Sequence, residues 1–259
     1  MTEKRTVTRQ NIVADLKALG LKQNDIVLVH SSLSRIGMVE GGADTVIDAL
    51  LEVIGRDGTL LMPSFQRGSE FFLAQSKFVF DIRNAPSEVG VITETFRRRP
   101  GVIRSLSPTH CTAGIGPKTW DILKDHEQCR VSAGFGSPYH KLVQAWSKIL
   151  LLGVAHNSNT TLHFVENTNG APTLCRQLFE PSVIDGNGRT IAVPTWPHMP
   201  GLQRNYPRVE NILLEHGLQR SGKIGDADSK LIDAQGMSEL IGGIIKRDPM
   251  FLIVPFSGN

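Results

Sequence analysis

The chain predicts an α/β fold: a central mixed sheet flanked by helices, with a smaller β-rich C-terminal portion. Three observations carry this. Short continuous apolar runs at residues 26–29, 59–62 and 149–152 read as buried strands, and they alternate with segments whose apolar residues recur every three or four positions. Glycine or proline closes most of these segments. After Glu166 the texture changes to β-like runs joined by Asp185-Gly186-Asn187-Gly188. With 259 residues and 40% hydrophobic content, the chain can bury one full core. We expect a single domain over 1–259, with its core at 8–167 and a C-terminal subregion at 168–259 after a polar linker.

In chain order, Thr8 is placed to cap a helix bearing Ile12, Leu16 and Leu19, which Gly20 stops. A strand at 26–29 delivers His30, Ser31, Ser32, Leu33 and Ser34 to its end, where open α/β sheets bind ligands. The Gly41-Gly42 loop then leads into a helix with Val46, Leu50, Val53 and Ile54 inward. GTLLMPSF reads as a strand ending on Pro63-Ser64, and 66–81 as a loop with a short helix near Phe71, placed to act as a lid. Ile92 and Phe96 share a helix face that ends at Pro100-Gly101. Arg97, Arg98 and Arg99 in its last turn complement the helix dipole. Arg104, Ser105, Ser107, Thr109 and His110 follow in a proline-bounded segment rich in donors. After short helices near Trp120 and Leu142 comes KILLLGVAHNSNTTLHFVE, a buried strand, a polar elbow and a helix capped at Asn159 or its neighbour. A hairpin over 179–196, a helix over 209–216, a strand pair over 224–233, a helix over 237–245 and a last strand over 251–256 complete the reading.

The composition excludes several functions. A formal charge of +3 without a dense basic stripe argues against nucleic-acid binding. No apolar run approaches the ~18 residues of a membrane span, and the charged start lacks the core of a signal peptide, so we expect a cytoplasmic protein with no membrane partner. Three widely spaced cysteines point to reduced thiols. Walker and GxGxxG loops are absent. A metal hydrolase built on His156, His163 and Glu166 is weakly signalled, because His-x-x-Glu lacks the second histidine of HExxH. Cys111 beside His110 is a poor nucleophile pair, since adjacent residues in extended chain face opposite ways.

His163 and Glu166 lie at i and i+3 on the helix after the elbow, so a carboxylate stands beside an imidazole on one face. From spacing alone, a partly buried helix histidine next to a first-turn acid favoured by the dipole explains the pair better than catalysis does. Direct group transfer with His163 as general base and Glu166 as its orienting partner is the chemistry that uses the converging strand ends.

Four segments in order go further. HSSLSRIG with Gly41-Gly42, LMPSF, FRRRPGV with Arg104-Ser105, and NTTLH with Glu166 together resemble the aminoglycoside 3-N-acetyltransferase family. The resemblance is strong over 8–166 and weak beyond. It implies acetyl-CoA (coenzyme A) as co-substrate, a primary amine of an aminoglycoside antibiotic as acceptor, no metal, and a monomer or homodimer. By position it implies His163 as catalytic base, Glu166 as its partner and Ser64 at the thioester, where the family usually has threonine. Ser31, Ser32, Leu33, Ser34, Arg104, Ser105 and Ser107 would hold the cofactor, with Gly136 and Ser137 completing its groove. Ser107 stands where family members often have histidine before the proline, and 66–81 is short for a drug-modifying member. Asp81 and Glu88 are the acids left to attract a cationic acceptor.

Overall fold

The computed structural model describes residues 6–254. Its elements in chain order are β1 (Thr6–Val7), α1 (Arg9–Leu19), β2 (Ile26–Ser31), α2 (Leu33–Ile36), β3 (Met38–Val39), α3 (Gly42–Ile54), β4 (Thr59–Pro63), α4 (Glu70–Gln75) and β5 (Val79–Asp81). These are followed by α5 (Val91–Arg97), β6 (Ile103–Arg104), β7 (Thr112–Ile115), α6 (Thr119–Leu123), α7 (Pro138–Gln144), β8 (Lys148–Leu152) and α8 (Thr161–Thr168). The chain continues through β9 (Ser182–Ile184), β10 (Thr190–Ala192), α9 (Val209–Glu215), β11 (Gln219–Ile224), β12 (Ala227–Asp233) and α10 (Ala234–Arg247).

Seven strands form the main sheet in the order β11-β12-β8-β2-β4-β7-β6. The three central strands, β8, β2 and β4, run parallel, and their neighbours on both sides are antiparallel. The sheet is therefore mixed, as the sequence predicts. Alternation along each central strand splits the core in two: Val27, Val29, Leu60, Met62, Leu150 and Leu152 face the layer of α1, α3 and α5, while Leu28, Leu61, Ile149 and Leu151 face α7, α8 and α10. Because β8, β2 and β4 are parallel, the chain leaves all three at one edge of the sheet. The elbow, the Ser31–Ser34 turn and the Phe65 loop meet there.

The helix signals hold at residue level. Thr8 and Asn11 form a capping box on α1, and Gly20 ends it in the left-handed region at φ 111°. The arginines after α5 do more than complement its dipole: Arg97 and Arg98 pair with Glu94, and Arg99 reaches Asp44 and Asp48 on α3, tying two helices together.

Two expectations are corrected. The strand pair begins at Gln219, five residues earlier than expected, and pairs through to Ile232, with β12 extending the main sheet against β8. The segment at 251–254 forms a turn with one bridge between Arg204 and Ile253, flanked by backbone bonds from Asn205 N–H to Leu252 O and from Val254 N–H to Gln203 O, while Phe251 and Leu252 pack into the second core; residues 255 and 256 lie outside the described residues. The hairpin β9-β10 is present and pairs in parallel with β5, which pins the 66–81 region to the C-terminal portion.

Candidate functional site

The elbow after β8 sets the site. Gly153 leaves the strand at φ 69°, where an added Cβ would lie 2.8 Å from Arg35 Cβ. Thr160 holds the N-cap position of α8 without a side-chain capping bond, and the buried Asn159 carboxamide oxygen accepts from Thr161 N–H at 3.2 Å. Leu162 and Val165 of α8 enter the core, which turns His163 toward the sheet edge and leaves Glu166 fully buried.

The pair does not meet directly. His163 Nδ1 is 3.6 Å from Glu166 Oε2, and the Tyr206 hydroxyl stands between them, 2.8 Å from Nδ1 and donating to Oε2 at 2.6 Å. Arg204 Nε donates to the same carboxylate oxygen at 3.0 Å. Burial pushes the Glu166 carboxyl up, but His163, Arg204 and Tyr206 reverse this and hold it below its ordinary value. Burial and the Glu166 charge raise Tyr206, so its proton stays on oxygen. An ionised carboxylate only accepts; the phenol proton therefore goes to Glu166, and the phenol oxygen must accept from His163 Nδ1–H. This leaves the lone pair of His163 on Nε2. Burial lowers His163 to about 3 even though 22% of its side chain meets solvent, so the imidazole is neutral at physiological pH.

A second buried carboxylate faces the same space. Glu70, at the start of α4, takes hydrogen bonds on Oε1 from Thr109 at 2.9 Å and from Ser132, and on Oε2 from His198 N–H at 2.9 Å. His110 Nδ1 lies 3.2 Å from Oε1 and His198 Nδ1 2.5 Å from Oε2. Burial pushes Glu70 up, and the two imidazoles reverse that and hold it well below the usual carboxylate range. Asn167 Nδ2 contacts both Ala133 O and His198 Nε2 at 3.1 Å. A carbonyl only accepts, so this is the amide NH2; His198 Nε2 is then an acceptor and Nδ1 carries the hydrogen given to Glu70. Glu70, His110 and His198 have the composition of a metal centre, with ligand atoms within 4.8 Å of one another. A metal needs the Nδ1 lone pair of His198, whereas this network spends that nitrogen as a donor, so the residues as bonded form a hydrogen-bonded cluster.

Three adjoining cavities run along the sheet edge. One of about 460 Å3 is lined by Ser31, Ser32, Leu33, Ser34 and Gly90. The next, about 390 Å3, shares Ser31, Arg67 and Val89 with it and adds His30, His110 and His163. The third, about 270 Å3, shares Phe65, His110 and His163 with the second and adds Glu70, His198 and Arg204. His163 and His110 thus stand at the junction of the second and third. A wider hollow of about 860 Å3 lies away from them but shares Ser34 and Gly37 with the first, and Arg35 and Lys230 are on its wall.

The expected site residues divide accordingly. His163, Ser31, Ser32, Leu33 and Ser34 reach these cavities, and Glu166 stands behind His163. Ser64 does not: Pro63 and Phe65 face the second cavity, and strand alternation turns Ser64 into the interior, where it is fully buried and its hydroxyl has no partner. Arg104 spends its guanidinium on the carbonyls of Ile82, Ala85 and Ser64. Ser105 binds Thr112 N–H and His126, and Ser107 accepts from His110 N–H. These three build the wall beneath the site and contact none of the three cavities. Ser137 caps α7, and the Gly136 N–H donates to His140, away from the cavities. Asp81 is taken up by Arg83 and Asn84, and Glu88 accepts from Arg67 N–H; neither lines a cavity that meets His163. Cys111 is buried against Ser105 O, and burial raises its thiol, so it is an inert filler. His156 is held by Gln219 within the elbow. Sequence reasoning missed Glu70, at the start of the short helix α4, and His198, Arg204 and Tyr206, from the winding segment before α9; none carries a spacing signal.

Comparison with known proteins gives the family and the fold. Residues 28–244 match the family model described as aminoglycoside 3-N-acetyltransferase. Aminoglycoside N(3)-acetyltransferase IV of Salmonella sp is 29% identical, covering 97% of this chain and 92% of the relative. Aminoglycoside N(3)-acetyltransferase IX of Micromonospora chalcea is 28% identical, covering 88% and 89%. Among solved structures, aminoglycoside acetyltransferase AAC(3)-IVa as apoenzyme superposes with a TM-score of 0.84 at 26% identity, covering 99% of this chain and 95% of that one. AAC-IIIb in a binary complex with CoASH gives 0.80 at 29% identity, covering 94% and 98%.

Proposed function

The chain belongs to the aminoglycoside 3-N-acetyltransferase family, and from that premise we propose that it transfers an acetyl group from acetyl-CoA directly to a primary amine of an aminoglycoside, without a metal. The observation that carries this is the His163 tautomer: Tyr206 and Glu166 hold Nδ1–H, and Nε2 is left as a base at the junction of two cavities. Coenzyme A enters along Ser31–Ser34, with its phosphates toward Arg35 and Lys230 and its thioester in the second cavity. The acceptor amine comes from the third. His163 removes an amine proton as nitrogen attacks the carbonyl, both groups being held in one ternary complex. That AAC-IIIb was solved with CoASH supports the donor.

Thiol release from acetyl-CoA, measured against a panel of aminoglycosides and simple amines, tests the reading. We expect His163→Ala to bind coenzyme A as before and to lose about 10²- to 10⁴-fold in turnover. Unchanged turnover would sink the assignment of the base.

One observation favours a second reading of the acceptor. Glu70, the carboxylate on the wall of the third cavity, is engaged on both oxygens by protein donors, Glu166 lies buried behind His163 and paired with Arg204, and Arg67 and Arg204 line the second and third cavities. This lining lacks the free acids that draw a polycation, and it suits an amine of low charge. Release with such an amine but with no aminoglycoside would move the substrate and leave the chemistry standing.

A further inference from the structure

The reaction needs a proton at the leaving sulfur as well as a base at the amine, and the structure holds a second imidazole at the same junction. His110 lines both the second and the third cavity, its ring centroid 5.9 Å from that of His163. Its Nδ1 is committed: Ser132 Oγ–H donates to the Glu70 carboxylate, so the same hydroxyl can only accept from His110 Nδ1–H at 2.9 Å, with Glu70 Oε1 at 3.2 Å. Among the described residues no hydrogen bond reaches His110 Nε2. Phe65 packs 5.3 Å from the ring and limits its orientation.

The groups around His110 are Glu70 from α4, Ser132 and Thr109 from loops, His198 from the segment after β10, and His163 from α8. Among the described residues no arginine or lysine pairs with the Glu70 carboxylate, which lies 3.2 Å from His110 Nδ1. Asn167 leaves His198 its hydrogen on Nδ1, and His163 has its lone pair on Nε2. His110 is therefore the second ring at this junction whose Nδ1–H is held by the protein and whose Nε2 is left for a substrate.

We propose that His110, held by Glu70, is the general acid of the transfer and that His163, the neighbouring ring at the same junction, is the base. This rests on the acetyl-transfer reading above. As the C–N bond forms, an amine proton passes to His163 Nε2; as the C–S bond breaks, sulfur takes the proton of His110 Nε2–H. The products are the amide and coenzyme A thiol, with His163 protonated and His110 neutral, and proton exchange through cavity water resets the pair. Ser132 and Glu70 are positioning residues that act through His110.

The test varies the leaving group. His110→Gln should lower turnover with acetyl-CoA about 100-fold. With S-phenyl thioacetate, whose aryl thiolate leaves without protonation, it should lose less than about threefold, since general-acid help follows the leaving group's basicity. Glu70→Gln should reproduce that split. An equal loss on both donors, or no loss on either, overturns the proposal, as does turnover that collapses on chelation and returns with zinc. Nitrogen-15 NMR of the uncomplexed wild type gives a readout independent of turnover: His110 should carry hydrogen on both ring nitrogens at neutral pH, and a neutral His110 there also overturns it. Wild-type protein that shows this signal but releases no thiol with any amine counts against acetyl transfer itself.

Discussion

His163 and His110 stand side by side at the junction of two cavities, their ring centroids 5.9 Å apart, and each is tied through Nδ1 to a buried carboxylate, yet the ties are built differently. Glu166 sits one helical turn from His163 and acts through Tyr206, with Arg204 neutralising its charge. Glu70 meets His110 directly, has no arginine, and is held by two hydroxyls, a backbone N–H and a second imidazole. A carboxylate whose charge is cancelled by arginine supports a neutral imidazole beside it, which suits a base. A carboxylate without that arginine demands a proton from its imidazoles, which suits an acid.

If this contrast is real, the two carboxylates should differ in what their removal does to the fold. Glu70→Ala strands the Thr109 and Ser132 hydroxyls, the His198 N–H and two imidazoles in the interior. We expect a loss of about 3–5 kcal/mol in urea denaturation, the usual cost of breaking a buried ionic cluster from one side. Glu166→Ala leaves Arg204, whose side chain is 14% exposed and also donates to Leu202 O, so its cost should be smaller. Equal losses would erase the distinction.

The two arrangements also differ in how they could be read from the chain. The i, i+3 spacing of His163 and Glu166, the apolar run of β8 and the polar elbow are local, and local periodicity suffices to place them. The same holds for α1, α3, β2 and β4, each of which carries its own cap or its own continuous apolar run. The Glu70 cluster is assembled from residues 70, 109, 110, 132 and 198, brought together only when the 66–81 segment is pinned by β9. Nothing in the sequence around His198 or Tyr206 marks either one. Arg104 and Ser64 show the converse failure: residue type and position along the chain were legible, but the direction of the side chain is set by strand alternation and by backbone acceptors many residues away.

His30 supplies an internal control, because it is a buried imidazole with no carboxylate. It is 4% exposed, its Nε2 has no partner, and burial lowers it to about 3. Its folded value lies below its ordinary value of 6.5, so the unfolded chain binds the proton more readily and stability falls as pH drops from that value toward 3. By pH 4 this one group should cost on the order of 3 kcal/mol relative to pH 7. Glu70 and Glu166 act in the same direction but later, since their depressed carboxyls lose their contribution only as pH falls below the ordinary carboxylate value. Urea titrations across pH 4–7 should therefore show an early decline, shared with His126 and His163, which burial also lowers to about 3, and His30→Asn should remove about 3 kcal/mol of it by pH 4. A decline confined to the carboxylate range would mean that a lone imidazole carries no such penalty.

The finest test of the contrast is Tyr206→Phe. The substitution keeps the ring in the second core and removes only the oxygen that links His163 Nδ1 to Glu166. At 3.6 Å the carboxylate is too far to replace the phenol without movement. The tautomer of His163 then loses its fixed acceptor, and one charge-assisted hydrogen bond, about 1.5 kcal/mol, is missing from the transition state in which the imidazole takes a proton. Turnover should fall about tenfold with acetyl-CoA and by the same factor with S-phenyl thioacetate, because the base is needed whatever leaves. That equal loss is the opposite of the split expected at His110. A Tyr206→Phe variant that loses turnover on acetyl-CoA alone would assign the phenol to the leaving group and merge the two roles into one.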